Sequence, residues 1–160
     1  MDDTYGDHGV FESEVINMNI VSLYDGNSQE VDLFIQEEWG GPMVVTLGHL
    51  YDSSALPGFA ACENGQVVGA VLYRILDDQC EIAVLFSWVE NRGVGTELIN
   101  RVIEEAGSRG CRRVWLVTTN DNTHAIRFYQ KFGFQLKAVH IDSFEVTRQL
   151  KKGLPENGID

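Results

Sequence analysis

The stretch that most limits the possible folds runs from residue 59 to residue 86. Phe59 to Glu63 is followed by Asn64-Gly65, and then by Gln66 to Leu76. Asn-Gly between two β-rich runs supplies the two positive-φ positions of a tight type I′ turn. Asp77-Asp78-Gln79 marks a second turn, and Cys80 to Phe86 a third β-rich run. These residues predict a three-stranded antiparallel meander, and the rest of the chain must pack around it.

The periodicity changes on either side. Val15 to Leu23 is β-branched enough for a first strand, while Val31, Phe34, Ile35 and Glu38-Trp39 fall at helical spacing before Gly40-Gly41-Pro42. Residues 43–57 suit either a second short helix or a loop. Beyond the meander, Leu98, Ile99, Val102, Ile103 and Ala106 form an apolar stripe opposite Glu97, Arg101, Glu104, Glu105 and Ser108. Gly107 and Gly110 punctuate the end of that helix. Val114 to Thr119 carries apolar residues on both faces and predicts a central strand. Ala125, Phe128, Tyr129 and Phe132 make a second helical stripe closed by Gly133, and Phe134 to Val146 predicts one or two final strands. The expected class is α/β, of the α+β type.

With 160 residues, 44% of them hydrophobic, the chain can bury one ordinary core. We read a mobile acidic arm over 1–14 (Asp2, Asp3, Asp7, Glu12, Glu14), a domain over 15–150 and a tail over 151–160. The net charge of −12 disfavours nucleic-acid and anionic-membrane partners and is compatible with a cationic small substrate. Its plain alternative is solubility. No apolar run approaches the ~20 residues of a membrane span. The segment Met1 to His8 lacks the apolar core of a secretion signal. Cys62, Cys80 and Cys111 are odd in number without CxxC spacing, which predicts neither a disulfide framework nor a zinc site. A cytoplasmic protein without a metal is expected.

Glu90-Asn91-Arg92-Gly93-Val94-Gly95-Thr96 lies between a strand and an amphipathic helix. Glycines there let an anion approach the free first-turn N–H groups and the positive end of the helix dipole. Alone, Gly-x-Gly also fits a plain turn. A Rossmann fingerprint fails because Leu98 stands three after Gly95, and a P-loop fails for want of Gly-Lys-Ser/Thr.

With this turn the chain resembles the GNAT superfamily of N-acetyltransferases. The superfamily's cofactor motif, Gln/Arg-x-x-Gly-x-Gly/Ala, falls on Glu90 to Gly95. Its second motif is matched by Asn122, Ala125, Phe128, Tyr129, Gly133 and Phe134. The two motifs in order are far more specific than either alone. The resemblance implies a mixed, mostly antiparallel central sheet of about six to seven strands flanked by about four helices, splayed at the cofactor site. It implies acetyl-CoA as acyl donor and an amine-bearing small molecule or a protein amine as acceptor, with a homodimer as an open assembly. The sequence departs at Glu90, where the family has Gln or Arg; the expectation is that Glu90 turns to solvent and Arg92 supplies positive charge.

The resemblance also implies roles. The arm of the cofactor pairs with the backbone of Leu85, Phe86 and Ser87, and a free N–H there serves the developing oxyanion. Arg92, Gly93, Val94, Gly95, Thr96 and Asn122 face the cofactor, Asn122 being also a natural helix cap. Tyr129 is the general acid, although its place on the apolar stripe equally suits a core aromatic. Glu81 is a candidate base. It lies four residues, ~13 Å, before Leu85, needs a water relay, and reads as well as a solvated strand residue. His49, His124 and His140 are candidates by residue type alone. No cysteine lies in the motifs, so direct attack in a ternary complex is expected. A non-catalytic CoA-binding or regulatory module is the alternative, with Glu90 its support.

Overall fold

The computed structural model describes residues 17–23, 28–141 and 143–151. The acidic arm, Val15, Ile16 and the tail beyond Lys151 lie outside the described residues. The described elements are β1 (Met18–Ser22), α1 (Ser28–Trp39), β2 (Met43–Thr46), β3 (His49–Asp52), β4 (Gly58–Glu63), β5 (Gln66–Leu76), β6 (Gln79–Ser87), α2 (Val94–Ser108), β7 (Arg113–Leu116), α3 (Thr123–Phe132) and α4 (Ser143–Leu150). A single 3-10 turn, Ser53–Ala55, follows β3.

The meander forms as its turns require. Asn64 and Gly65 both take positive φ, 51° and 80°, and join β4 to β5 through the Glu63–Gln66 pair. Asp77 (φ 53°) opens the turn into β6. The main sheet runs β1-β4-β5-β6-β7, antiparallel except for the parallel β6–β7 pair. One apolar cluster packs this sheet against α2 and α3 and includes Val71, Ile82, Leu98, Ile99 and Val102. Val31 and Ile35 of α1 close the opposite face over Leu72 and Val84. Of the predicted α2 stripe, Ile103 departs, being 39% exposed.

Three expectations are corrected. Residues 43–57 form neither a lone helix nor a loop. β2 and β3 make a separate hairpin, turned by Leu47 (φ 47°) and Gly48 (φ 78°), ahead of the 3-10 turn. Residues 134–140 join no described strand, and Leu136 and Val139 are each 73% exposed. The chain then enters α4, where Thr147 Oγ donates to the Ser143 carbonyl and Arg148 pairs with Glu145 at 2.6 Å. These i,i+4 and i,i+3 contacts outweigh the strand preference of Val146 and Thr147. Without those final strands the main sheet has, among the described residues, five strands rather than six or seven, and β7 is its edge, not its centre.

The sheet opens at one place. β6 pairs with β7 only from Gln79–Arg113 to Ile82–Leu116. At that level β6 carries an extra residue: Ile82 faces Tyr73 and Val84 faces Leu72, leaving Ala83 between them. Such a bulge bends the bulged strand and increases its twist. β6 continues to Ser87 on β5 alone, and Val117 to Thr119 leave the ladder.

Candidate active site

The gap between β6 and β7 brings two kinds of backbone together. Leu85, Phe86 and Ser87 hold β5 through Val71, Ala70 and Gly69, and their other edge has no described strand partner. Just beyond, the chain turns through Asn91 (φ 57°) and Gly93 (φ 77°) into α2. Gly93 is the N-cap and offers no side-chain cap, so the N–H groups of Val94, Gly95 and Thr96 are left for another acceptor. A Cβ on Gly93 would meet no atom within 4 Å, whereas one on Gly95 would lie 3.3 Å from Phe128 Cζ. The two sequence motifs therefore touch: the start of α2 rests on α3 at Phe128. An open, uncapped helix terminus beside an unpaired strand edge fits a phosphate-bearing, amide-bearing arm such as that of CoA.

The charged residues of the turn sort themselves. Glu90 is exposed, as expected. Arg92 does not reach toward it but pairs with Glu63 at 3.0 Å. Glu63 ends β4 and is only 9% exposed, so this ion pair ties the turn to the meander.

Asn122 caps α3, its Oδ1 accepting from the Ala125 N–H at 3.1 Å. Tyr129 sits about two turns further on, with its ring 5.3 Å from Phe128 and 5.6 Å from Phe134. Burial pushes its phenol up to about 12, so the hydroxyl keeps its proton throughout the neutral range. Tyr129 is thus both a packed aromatic and a protonated donor.

Glu81 is not a solvated strand residue. It is 2% exposed, and its Oε2 accepts from Arg74 Nη2 at 2.8 Å and Arg74 Nε at 3.2 Å. Its Oε1 is buried without a partner. The Arg74 guanidinium also lies 4.4 Å from the centre of the Tyr51 ring, whose hydroxyl is buried and unpartnered as well. Sequence reasoning missed Arg74, although the turn at Asp77-Asp78 fixes the register that sets it opposite Glu81. It also missed Tyr51, because the β2–β3 hairpin was not foreseen. Beside Phe86, Phe34 of α1 stacks at 4.0 Å and Trp88 closes a three-ring cluster.

His49, His124 and His140 are exposed, on β3, on α3 and in the segment before α4 respectively. Cys80 is fully buried, and desolvation pushes its thiol up to about 12. Among the described residues no three His, Cys, Asp or Glu side chains gather as metal ligands, and no helix is long and apolar enough to cross a membrane.

Comparison with known proteins identifies the family and the fold. The model of the acetyltransferase (GNAT) family matches residues 21–134. The chain belongs to that family. It is 42% identical over 130 residues to the uncharacterised protein YdhI of Bacillus subtilis, covering 79% of this chain and 81% of YdhI. It is 35% identical over 139 residues to the uncharacterised protein YxbD of the same organism, covering 86% and 87% of the two chains. Among solved structures, the aminoglycoside N-acetyltransferase AAC(6')-Iy in complex with CoA superposes with a TM-score of 0.61 at 18% identity, over 79% of this chain and 93% of that one. This last likeness is one of fold.

Proposed function

We propose that the protein transfers an acetyl group from acetyl-CoA to a primary amine by direct attack in a ternary complex. The observation that carries this reading is the juxtaposition of the uncapped start of α2 with the unpaired edge of β6. When bound, acetyl-CoA supplies an activated acyl group. The N–H groups of Val94, Gly95 and Thr96 grip its phosphates. The free edge of Leu85, Phe86 and Ser87 aligns its arm, and one N–H there faces the developing negative charge. Asn122, its Oδ1 occupied by the cap, keeps its amide N–H groups for the ligand. Tyr129 donates its hydroxyl proton toward the departing sulfur. Glu81 is the base of this reading; its Oε2 is held by Arg74 and its Oε1 is closed to water, so it takes the proton of the attacking amine through a water only once the covering Arg74 and Tyr51 side chains move aside. The absence of a reactive thiolate at Cys80 supports direct attack rather than an acetyl-cysteine route.

The test uses Gly93. The space around it is open, so Gly93→Asp meets no atom; its positive φ strains the backbone, although Asp is among the residues that adopt it most readily, and circular dichroism and melting check that the variant is folded. Its carboxylate occupies the anion site at the start of α2. The wild type is expected to gain thermal stability with CoA and to release thiol from acetyl-CoA with at least one amine in a panel. Gly93→Asp is expected to lose both. Unchanged CoA affinity in the folded variant places the site elsewhere. CoA binding without thiol release for any amine points to a binding module instead.

A further inference from the structure

The β2–β3 hairpin is only lightly tied to the rest of the fold. It forms a two-stranded sheet of its own, with no ladder to the main sheet. Of residues 43–52 only Val44 is buried. A two-stranded hairpin is marginal by itself, and an element that buries so little apolar surface opens at lower cost than the core. Its base is narrow, closed where the Ser53 N–H donates to the Pro42 carbonyl at 2.8 Å. Gly40 and Gly41, both at positive φ and in open space, lead into it. Lys151 Nζ donates to the Met43 carbonyl at 2.8 Å, and the Tyr51 ring lies 4.4 Å from the Arg74 guanidinium. These contacts hold the hairpin down.

What it covers is Glu81. Arg74 lies two residues beyond Leu72 on β5, and so on the sheet face that α1 covers, and Glu81 faces Arg74 across the ladder. The Glu81 carboxylate is 2% exposed and its Oε1 finds no hydrogen bond; the Tyr51 hydroxyl, buried against the same guanidinium, finds none either. Burial raises the Tyr51 phenol, with Arg74 pulling it down and Glu81 pushing it up, so the hydroxyl lies within reach of both charges. Two unsatisfied polar atoms thus sit at one contact. Water satisfies each of them when the contact opens, so both penalties belong to the closed state alone. A guanidinium over an aromatic ring contributes about as much as one such orphan removes. The closed hairpin is therefore held by little more than it loses.

We infer that the β2–β3 hairpin is a flap, and that Tyr51 and Arg74 are positioning residues that latch it over Glu81. Lifting the hairpin withdraws the Tyr51 ring, frees the guanidinium from it and admits water to Oε1. A cationic amine gains from the Glu81 carboxylate only in the open state, so its binding shifts the flap toward opening. The role in turnover rests on the acetyl-transfer reading; the opening itself does not depend on turnover. The experiment compares wild type, Tyr51→Phe and Tyr51→Ala in three ways: peptide-resolved hydrogen exchange, labelling of carboxylates with a water-soluble carbodiimide and glycinamide, and thiol-release kinetics with the best amine of the panel. Circular dichroism and melting establish that each variant is folded.

In the wild type, β2 and β3 are expected to exchange at least about tenfold faster than β5, and Glu81 to be labelled in the native protein, more slowly than the exposed Glu90. Tyr51→Phe keeps the ring on Arg74 and removes the orphan hydroxyl. It is expected to melt higher, to slow hairpin exchange and Glu81 labelling about tenfold, and to raise KM for the amine by a similar factor, with kcat and KM for acetyl-CoA little changed. Tyr51→Ala removes the latch; it is expected to melt lower, to label Glu81 about tenfold faster and to lower KM for the amine. A latch thus moves stability and amine affinity in opposite directions, whereas a merely structural residue moves them together. Equal protection of the hairpin and β5 in the wild type, or a Tyr51→Phe variant that labels Glu81 as fast as the wild type does, overturns the inference while leaving acetyl transfer intact. Tyr51-dependent opening without thiol release for any amine upholds the flap and overturns the acetyl-transfer reading.

Discussion

Replacing Tyr129 with Phe removes one oxygen and keeps the contacts with Phe128 and Phe134. The phenol sits at about 12 in the folded protein because it is buried, against about 10 in the unfolded chain. A raised folded value favours the protonated form in the native state. The associated stability is whole below pH about 10 and is lost as pH climbs toward about 12. Two units correspond to about 2.7 kcal/mol, of which about 2 kcal/mol has gone by pH about 12. Urea unfolding of wild type and Tyr129→Phe at pH about 9 and about 12 measures it: the gap between the two proteins is expected to shift by about 2 kcal/mol against the wild type. The same burial limits the chemistry. A phenol near 12 is a reluctant acid toward a thiolate near 8.5, so the loss of kcat is expected near the lower end of general-acid effects, about 10²-fold, with CoA affinity unchanged. The wild-type rate is also expected to show no descending limb from Tyr129 below pH about 11. A rate within a few-fold of wild type refutes the donor role. An identical pH dependence of stability in both proteins refutes the burial on which the argument rests.

Glu90→Gln is expected to leave CoA binding equal or tighter, because Glu90 is exposed; weaker binding, read by calorimetry, gives Glu90 a positive role. Arg92→Ala is expected to weaken CoA binding and also to lower stability by about 1–2 kcal/mol, since it strands the nearly buried Glu63 carboxylate. Adding Glu63→Gln is expected to restore the stability but not the affinity; a double variant no more stable than Arg92→Ala shows that the ion pair does not matter. Cys80, buried with its thiol pushed up to about 12, is expected to resist disulfide reagents at pH about 8 until urea unfolds the protein, as mass spectrometry of labelled peptides shows. Rapid native labelling at Cys80 reopens an acetyl-cysteine route.

What the sequence made legible was local chemistry. Asn64-Gly65 reads as a type I′ turn and fixed the pairing of β4 with β5, and Asp77-Asp78 that of β5 with β6 as far as the bulge at Ala83, which shifts the partners of Leu85 to Ser87 by one residue. The stripes of α2 and α3 announced themselves because α2 buries one face and α3 half-buries one. What stayed hidden depended on pairing or on distance. Val44 and Val45 lie in a stretch that suited a short helix or a loop, and show themselves as strand only when Leu47 and Gly48 turn the chain onto Leu50 and Tyr51. The run from Phe134 to Ile141 has strand composition, but strand structure requires a partner edge, and composition cannot supply one. Glu81 looked solvated because its neighbours alternate; its burial comes from Arg74 across the turn, with the Tyr51 ring packed against that guanidinium, an arrangement no single segment reveals.

The departure at Glu90 follows from how the anion site is built. Its donors are main-chain N–H groups, oriented by the left-handed turns at Asn91 and Gly93 and left uncapped at the head of α2. Groups of this kind do not change when a side chain does. The side chain at position 90 points to solvent and contributes only a screened charge. Gly93 and Gly95 are different in kind. The first holds a φ of 77° and keeps the cradle open, and the second lets α2 settle onto Phe128 with no Cβ in between. Any Cβ at Gly95 must push Phe128 aside, and with it the neighbouring Tyr129, which shares the turn of α3. The glycines of the first motif and the aromatics of the second are thus one steric arrangement: in the proposed reading, the spacing that would admit a phosphate also positions the phenol. In the proposed reading, the exposed side chain at the motif's first position neither donates a hydrogen bond to the ligand nor sets the distance between the helices, which is why an acidic residue there is compatible with the site.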